Sequence, residues 1–127
     1  MGSLIRSVVA VTAGYTVFGI SAVLIFAATG RDPHATAPIA FMVLSTLYGM
    51  AFATASGFLA AVIAGKSELG HAQTVSGIIA LGALISIFTT PAGGTLWSQL
   101  AALILMAPSA SLGGLWRRSA SRKKAVK

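Results

Sequence analysis

Hydrophobic positions run almost unbroken from Val8 to Trp116, and polar positions interrupt them in only three places. Between Ser7 and Trp116 the sequence has four formal charges, Arg31, Asp32, Lys66 and Glu68, gathered into two short seams. A third interruption, Pro91-Ala92-Gly93-Gly94, carries no charge and breaks the pattern with proline and glycine. A charge at the centre of a bilayer costs about 2.5–3.5 kcal/mol even on insertion scales, so a stretch this depleted of charge suits hydrocarbon. The interruptions leave four segments of membrane-spanning length. The predicted fold is an all-α membrane protein with four transmembrane helices and both termini cytoplasmic.

The spans are predicted at about residues 8–29, 39–64, 72–90 and 96–116, with a basic cytoplasmic tail at 117–127. Ten Val, Ile, Leu and Phe residues in the first span give a gross insertion free energy of roughly −3 to −6 kcal/mol. Gly30-Arg31-Asp32-Pro33 ends it. Arg6 and the small residues Ala27 and Ala28 invite a signal-peptide reading, but the apolar run exceeds the roughly 7–15 residues of a signal core. Met1-Gly2 also departs from the myristoylation pattern, because Arg6 stands where Ser or Thr is required. The second span is longer than the hydrocarbon core at about 1.5 Å per residue and is expected to tilt or protrude. Gln73, Thr74, Ser76 and two glycines make the third the weakest segment. The fourth contains Pro108 and is bracketed by Trp97 and Trp116, which helical rise separates by about 28 Å, one at each interface.

Composition adds orientation. Of 127 residues, 56% are hydrophobic and 9% charged, against roughly 25% charged in a typical soluble domain. The net charge of +7 is concentrated after Trp116 in Arg117, Arg118, Arg122, Lys123, Lys124 and Lys127. With the N-terminus inside, Arg6, Lys66 and the tail all lie on the cytoplasmic face and only Arg31 lies outside, which satisfies the positive-inside bias. Trp97, Trp116, Arg117 and Arg118 are the expected interfacial anchors. The tail is a topology anchor and a contact for anionic lipid of the bilayer, at about 1 kcal/mol per near-surface charge. It lacks the interleaved aromatics that nucleic-acid binding would use. The two hairpins share no motif, so no internal repeat is read.

One pattern inside the second span is regular. Ser45, Gly49, Ala53, Gly57, Ala61 and Gly65 recur every four residues. Four residues advance about 400°, so the row winds around the helix and lets another backbone approach along it. Two uses stay open, packing within the bundle and a homo-oligomer interface. Shorter echoes are Ala10/Gly14, Gly82/Ser86, Ser109/Gly113 and Ala110/Gly114.

Candidate chemistry is sparse. Cysteine is absent, which removes disulfides, thiol catalysis and Cys-ligated metals, and asparagine is absent too. No ionisable residue lies inside a span, whereas an ion or proton path calls for one. The small multidrug-resistance transporters have a similar length and span number but hold a glutamate in the first helix; here that helix has none, so the resemblance is one of size. His34 and His71 are predicted on opposite membrane faces and do not form a metal site, and His71 is expected to face Glu68 one helical turn away. The hydroxyl residues Thr12, Thr16, Ser21, Ser45, Thr46, Thr54, Ser56, Ser76, Ser86 and Ser109 have no base at their depth and are expected to bond to nearby carbonyls. Tyr15 and Tyr48 lie well within their spans and are candidates for a polar track. No catalytic residue, cofactor or metal is expected.

The stretch Gly57-Phe58-Leu59-Ala60-Ala61-Val62-Ile63-Ala64-Gly65-Lys66, followed by His71-Ala72, resembles a pattern in small four-helix bacterial inner-membrane proteins of unknown function, and so does Pro108 followed by Gly113-Gly114 near a basic end. The resemblance implies a multi-pass protein of the bacterial inner membrane and carries no activity with it. The expected function is non-catalytic: a structural, assembly or regulatory role beside other membrane proteins. The alternative is a subunit of a small oligomeric channel or transporter.

Overall fold

The computed structural model of the chain describes residues 2–126, with side-chain burial as far as Lys123. Its regular elements are helical: α1 (Gly2–Thr29), α2 (Ile39–Ala64), α3 (Glu68–Thr89), and a fourth rod made of α4 (Trp97–Ala101), a π-helical turn (Ala102–Met106) and α5 (Ala107–Val126). Four rods are long and apolar enough to cross a membrane. Helix α1 begins well before residue 8, because nothing in Gly2–Ser7 breaks it. Helix α3 begins four residues before the predicted start and takes in Glu68, whose carboxylate suits the positive end of the helix dipole. The basic segment after Trp116, expected as a tail, continues α5 as helix through Val126.

The helix ends follow from local chemistry. At the end of α1, Gly30 takes φ +66°, its N–H donates to Ala27 O and the Arg31 N–H donates to Phe26 O, the paired bonds of a Schellman cap. Gly65 ends α2 with φ +73° and a single N–H bond to Ala61 O, the simpler left-handed cap. Gly65 therefore closes the small-residue row as a cap, outside the helix. In the last connection Gly93 has φ +86° and the Gly94 N–H returns to Pro91 O, as a type II turn requires.

Helix α2 lies against α1, α3 and the fourth rod, and α3 lies against the other three. What faces inward is small. The core gathers Ala53, Ala60, Val75, Ile79, Ala107 and Ala110, while Phe88 (85% exposed) and Ile39 (80%) point outward. This inversion suits a lipid surround, where apolar burial between helices gains little and close backbone approach gains more. The row in α2 changes partner as it winds: Gly49 meets Met106 of the π turn, Gly57 meets the backbone of Ala110 in α5, and Gly65 meets the guanidinium of Arg6 in α1. Its helical members Ser45, Gly49, Ala53, Gly57 and Ala61 are all buried within one protomer. The reciprocal contacts are as close. Gly113 of α5 lies on the carbonyl of Thr54, and an added Cβ at Gly14 of α1 would stand 2.6 Å from Ser56 O.

The π turn precedes Pro108, which has no N–H to give and whose ring collides with the carbonyl four residues back in a regular helix. One extra residue in the turn accommodates the proline without breaking the rod, since Ala101, Ala102 and Ala107 keep right-handed helical angles.

Candidate functional site

The end of the bundle formed by residues 30–38 and 90–96 is tied together by the first turn of the fourth rod. Trp97 donates its indole N–H to Ala35 O at 2.8 Å, Ser98 donates to Pro33 O at 2.7 Å, and the Thr95 N–H reaches His34 O at 2.7 Å. Gln99, 4% exposed, sits beneath. Its Nε2 donates to His34 Nδ1 at 2.7 Å and to Thr90 Oγ1 at 2.9 Å, and its Oε1 faces the Ser98 hydroxyl at 3.0 Å. The Thr90 hydroxyl donates its own proton to Ser86 O, which leaves its oxygen to accept from the Gln99 amide N–H.

Below this clasp, all four rods line a partly open cavity of about 280 Å³. Its walls come from Ser21 and Ile25 of α1, Tyr48 of α2, Ser86 of α3, and Trp97 and Met106 of the fourth rod, among others. The wall is mostly carbon, and three of its hydroxyls are engaged with backbone carbonyls. Tyr48 donates to Ser21 O at 2.9 Å, Ser21 to Phe18 O at 2.6 Å and Ser45 to Met42 O at 3.2 Å. Water is held in such a space by two to four polar partners, few of which this mostly carbon wall exposes. Phe26 and Trp97 of the wall form an aromatic group with Phe41 outside it, ring centroids 6.0–6.2 Å apart, and Arg31 lies over the Phe41 ring at 4.6 Å.

The opposite end holds the start of α1, the α2–α3 turn and the basic end of α5. Arg6 donates from Nε to Ile63 O at 2.5 Å, filling one of the unpaired carbonyls at the end of α2 and setting a cation at the negative end of that dipole. His71 donates from Nδ1 to Ser67 O at 2.9 Å, and its Nε2 is hydrogen-bonded with the Ser7 hydroxyl at 2.8 Å. Its ring is thus committed to those two partners, and not to Glu68. Among the described residues no three His, Asp or Glu side chains come together.

Compared with protein-family models, curated proteins and solved structures, the chain matches none. Its site is thus read from geometry alone.

The sequence-predicted residues are distributed unevenly. Tyr48 walls the cavity; Tyr15 does not, and at 38% exposure its hydroxyl lies beside Gly82 of α3. The two tyrosines therefore do not line one track. Trp116 is 65% exposed and packs at a tilt against Phe58, centroids 5.3 Å apart, whereas Trp97 is half-buried in the aromatic group, its indole committed to the loop. Arg117 and Arg118 are half-buried, and Arg117 Nε is buried without a hydrogen-bond partner. The hydroxyls largely bond to carbonyls one turn back, as at Thr16, Thr54, Ser56 and Ser109, and Ser76 crosses to Ala107 O at 2.5 Å. Sequence reasoning passed over Gln99. One signal was present: it is one of two glutamines in a chain without asparagine, set one turn into an apolar span.

Proposed function

We propose that this chain is a multi-pass protein of a bacterial inner membrane, with both termini cytoplasmic, whose role is non-catalytic: a structural, assembly or regulatory bundle beside other membrane proteins. The observation that carries this reading is the state of the polar groups within the four rods. The hydroxyls of Thr16, Ser21, Ser45, Tyr48, Thr54, Ser56, Ser76 and Ser109 all donate to backbone carbonyls. They hold helices and turns in place, and none is aligned with a base that would activate it. Acidic groups sit at helix ends or in turns: Asp32 accepts the His34 N–H at 2.8 Å, and Glu68 opens α3. The small-residue row is used up inside the protomer, so a partner would meet the large apolar side chains of the outer faces.

Two measurements test the proposal together. The protein is reconstituted in liposomes with an imposed pH gradient, and flux is compared for the parent, Asp32→Asn and Glu68→Gln. No gradient-driven flux is expected in any of them. Crosslinking in native membranes, with the mass of the assembly read in mild detergent, is expected to join the chain to a second membrane protein. Gradient-driven uptake abolished by Glu68→Gln would overturn the proposal in favour of an oligomeric channel or transporter subunit.

A further inference from the structure

The cavity has a shape, a lining and a rim that point to one kind of occupant. Its 280 Å³ is nearly twice the roughly 150 Å³ that holds a benzene-sized molecule in an engineered apolar cavity. It lies between α1 and α3 at the level of Ser21 and Ser86, beyond the contacts nearer the terminal end, where Ser7 meets His71 and Gly14 meets Val75. The hydroxyls of Ser21, Ser45 and Tyr48 are bonded to backbone carbonyls and the exposed wall is mostly carbon, so it favours an apolar ligand. At the rim, Phe26 and Trp97 face the cavity while Phe41 carries the Arg31 guanidinium. Arg31 is the one Lys or Arg between Arg6 and Lys66, and thus the basic group of the connection at this end. Asp32 beside it points its Oδ1 at the His34 N–H. A cation on the outer ring of the aromatic group that borders a carbon-lined slot matches an amphiphile with an anionic head and a hydrocarbon chain.

We propose that the cavity is a lipid site, holding one acyl chain of a membrane phospholipid whose phosphate lies at Arg31. The chain supplies the carbon surface that Ser21, Ile25, Ala83, Ala102 and Met106 lack on the cavity side. The polar clasp of His34, Thr90 and Gln99 closes the slot at the loop end, so the chain fills it from the bilayer side. This inference rests on the membrane reading above and is independent of whether the protein has a partner or an activity.

Trp97 is a built-in reporter. With Trp116→Phe it is the sole tryptophan, since the chain has two. The purified variant in detergent is titrated with trace phosphatidylglycerol carrying brominated acyl chains, which quench a tryptophan they touch. Saturable quenching at one lipid per protein is expected. Ala22→Phe, which fills the cavity from α1, is expected to remove the saturable part. Arg31→Gln is expected to weaken apparent affinity about fivefold, the worth of one near-surface charge. Helix content and a single elution peak establish that each variant is folded. If Ala22→Phe fails that check, Ala102→Phe fills the same space from the opposite wall. Quenching that rises linearly with lipid and survives the filled cavity would overturn the proposal. So would quenching reversed by a polyprenyl phosphate but not by unbrominated phospholipid, or quenching by aqueous acrylamide with none by the brominated chains.

Discussion

At the residue scale the decisive side chains are the missing ones. Gly57 and Gly113 belong to the same crossing of α2 and α5: the first lies on the backbone of Ala110, the second on the carbonyl of Thr54 and the N–H of Phe58. In both cases the obstacle to a Cβ is backbone, which cannot swing aside, so the helices themselves must separate. Gly57→Ala is expected to cost roughly 1–3 kcal/mol, the usual range for overpacking. Val62→Leu, on the exposed side of α2, is expected to be neutral within about 0.5 kcal/mol. The double variant Gly57→Ala/Gly113→Ala should cost less than the sum, because one separation relieves both clashes. Unfolding in detergent measured across the four-member cycle checks this, and strict additivity would show that the two sites are independent. Gly19 has no neighbour within 4 Å of an added Cβ, although it too is a glycine in an apolar helix. Residue identity alone does not separate Gly19 from Gly57; only the position of the next backbone does.

At the element scale two features set the fourth rod. The first is the π turn. Since it holds one residue more than an α-helical path needs, removing Ile104 together with Pro108→Ala should leave a continuous α-helix with both flanks in register. Removing Leu112, in regular helix, should instead rotate everything beyond it by about 100° and carry Gly113 and Gly114 off their contacts. The melting temperature in detergent is expected to fall much further for the second deletion than for the first. The second feature is the clasp. Gln99→Leu leaves the His34 ring and the Thr90 hydroxyl without their amide, at a cost of about 1–3 kcal/mol. Hydrogen exchange over residues 31–38 should rise in that variant and hardly change in Ser119→Ala, at the far end of the molecule. The proline in the fourth span was plain in the sequence. The clasp was less so, because Gln99 and His34 are 65 positions apart and only chain reversal brings them together.

At the scale of the whole molecule the open quantity is direction. The antiparallel rods bring Arg6 to Ile63 and Ser7 to His71, which sets the start of α1 beside the α2–α3 turn. The basic excess at that end argues for the cytoplasmic side. Single cysteines at Ala35, Ser67 and Ser119, all exposed positions, report this in a chain with no native cysteine. An impermeant thiol reagent on intact cells is expected to label Ala35→Cys alone. Labelling of Ser67→Cys or Ser119→Cys before lysis would reverse the orientation.

Four apolar segments, their breaks and the crowding of basic residues at one end were legible in the sequence, because each depends on composition over a local window. The cost of placing charge in hydrocarbon, and the glycines and prolines that end helices, act within a few residues. Helix α2 runs over the predicted 39–64 for this reason. The inward faces were half legible. The rods are apolar all round, so hydropathy does not mark an interior, and only residue size does. The row from Ser45 to Gly65 showed that α2 admits a close neighbour, but not that the neighbour changes along its length from the fourth rod to α1. The cavity and its clasp were decided by tertiary structure alone. A space is defined by four separate rods at once, and no one segment carries a trace of the volume that the others leave open.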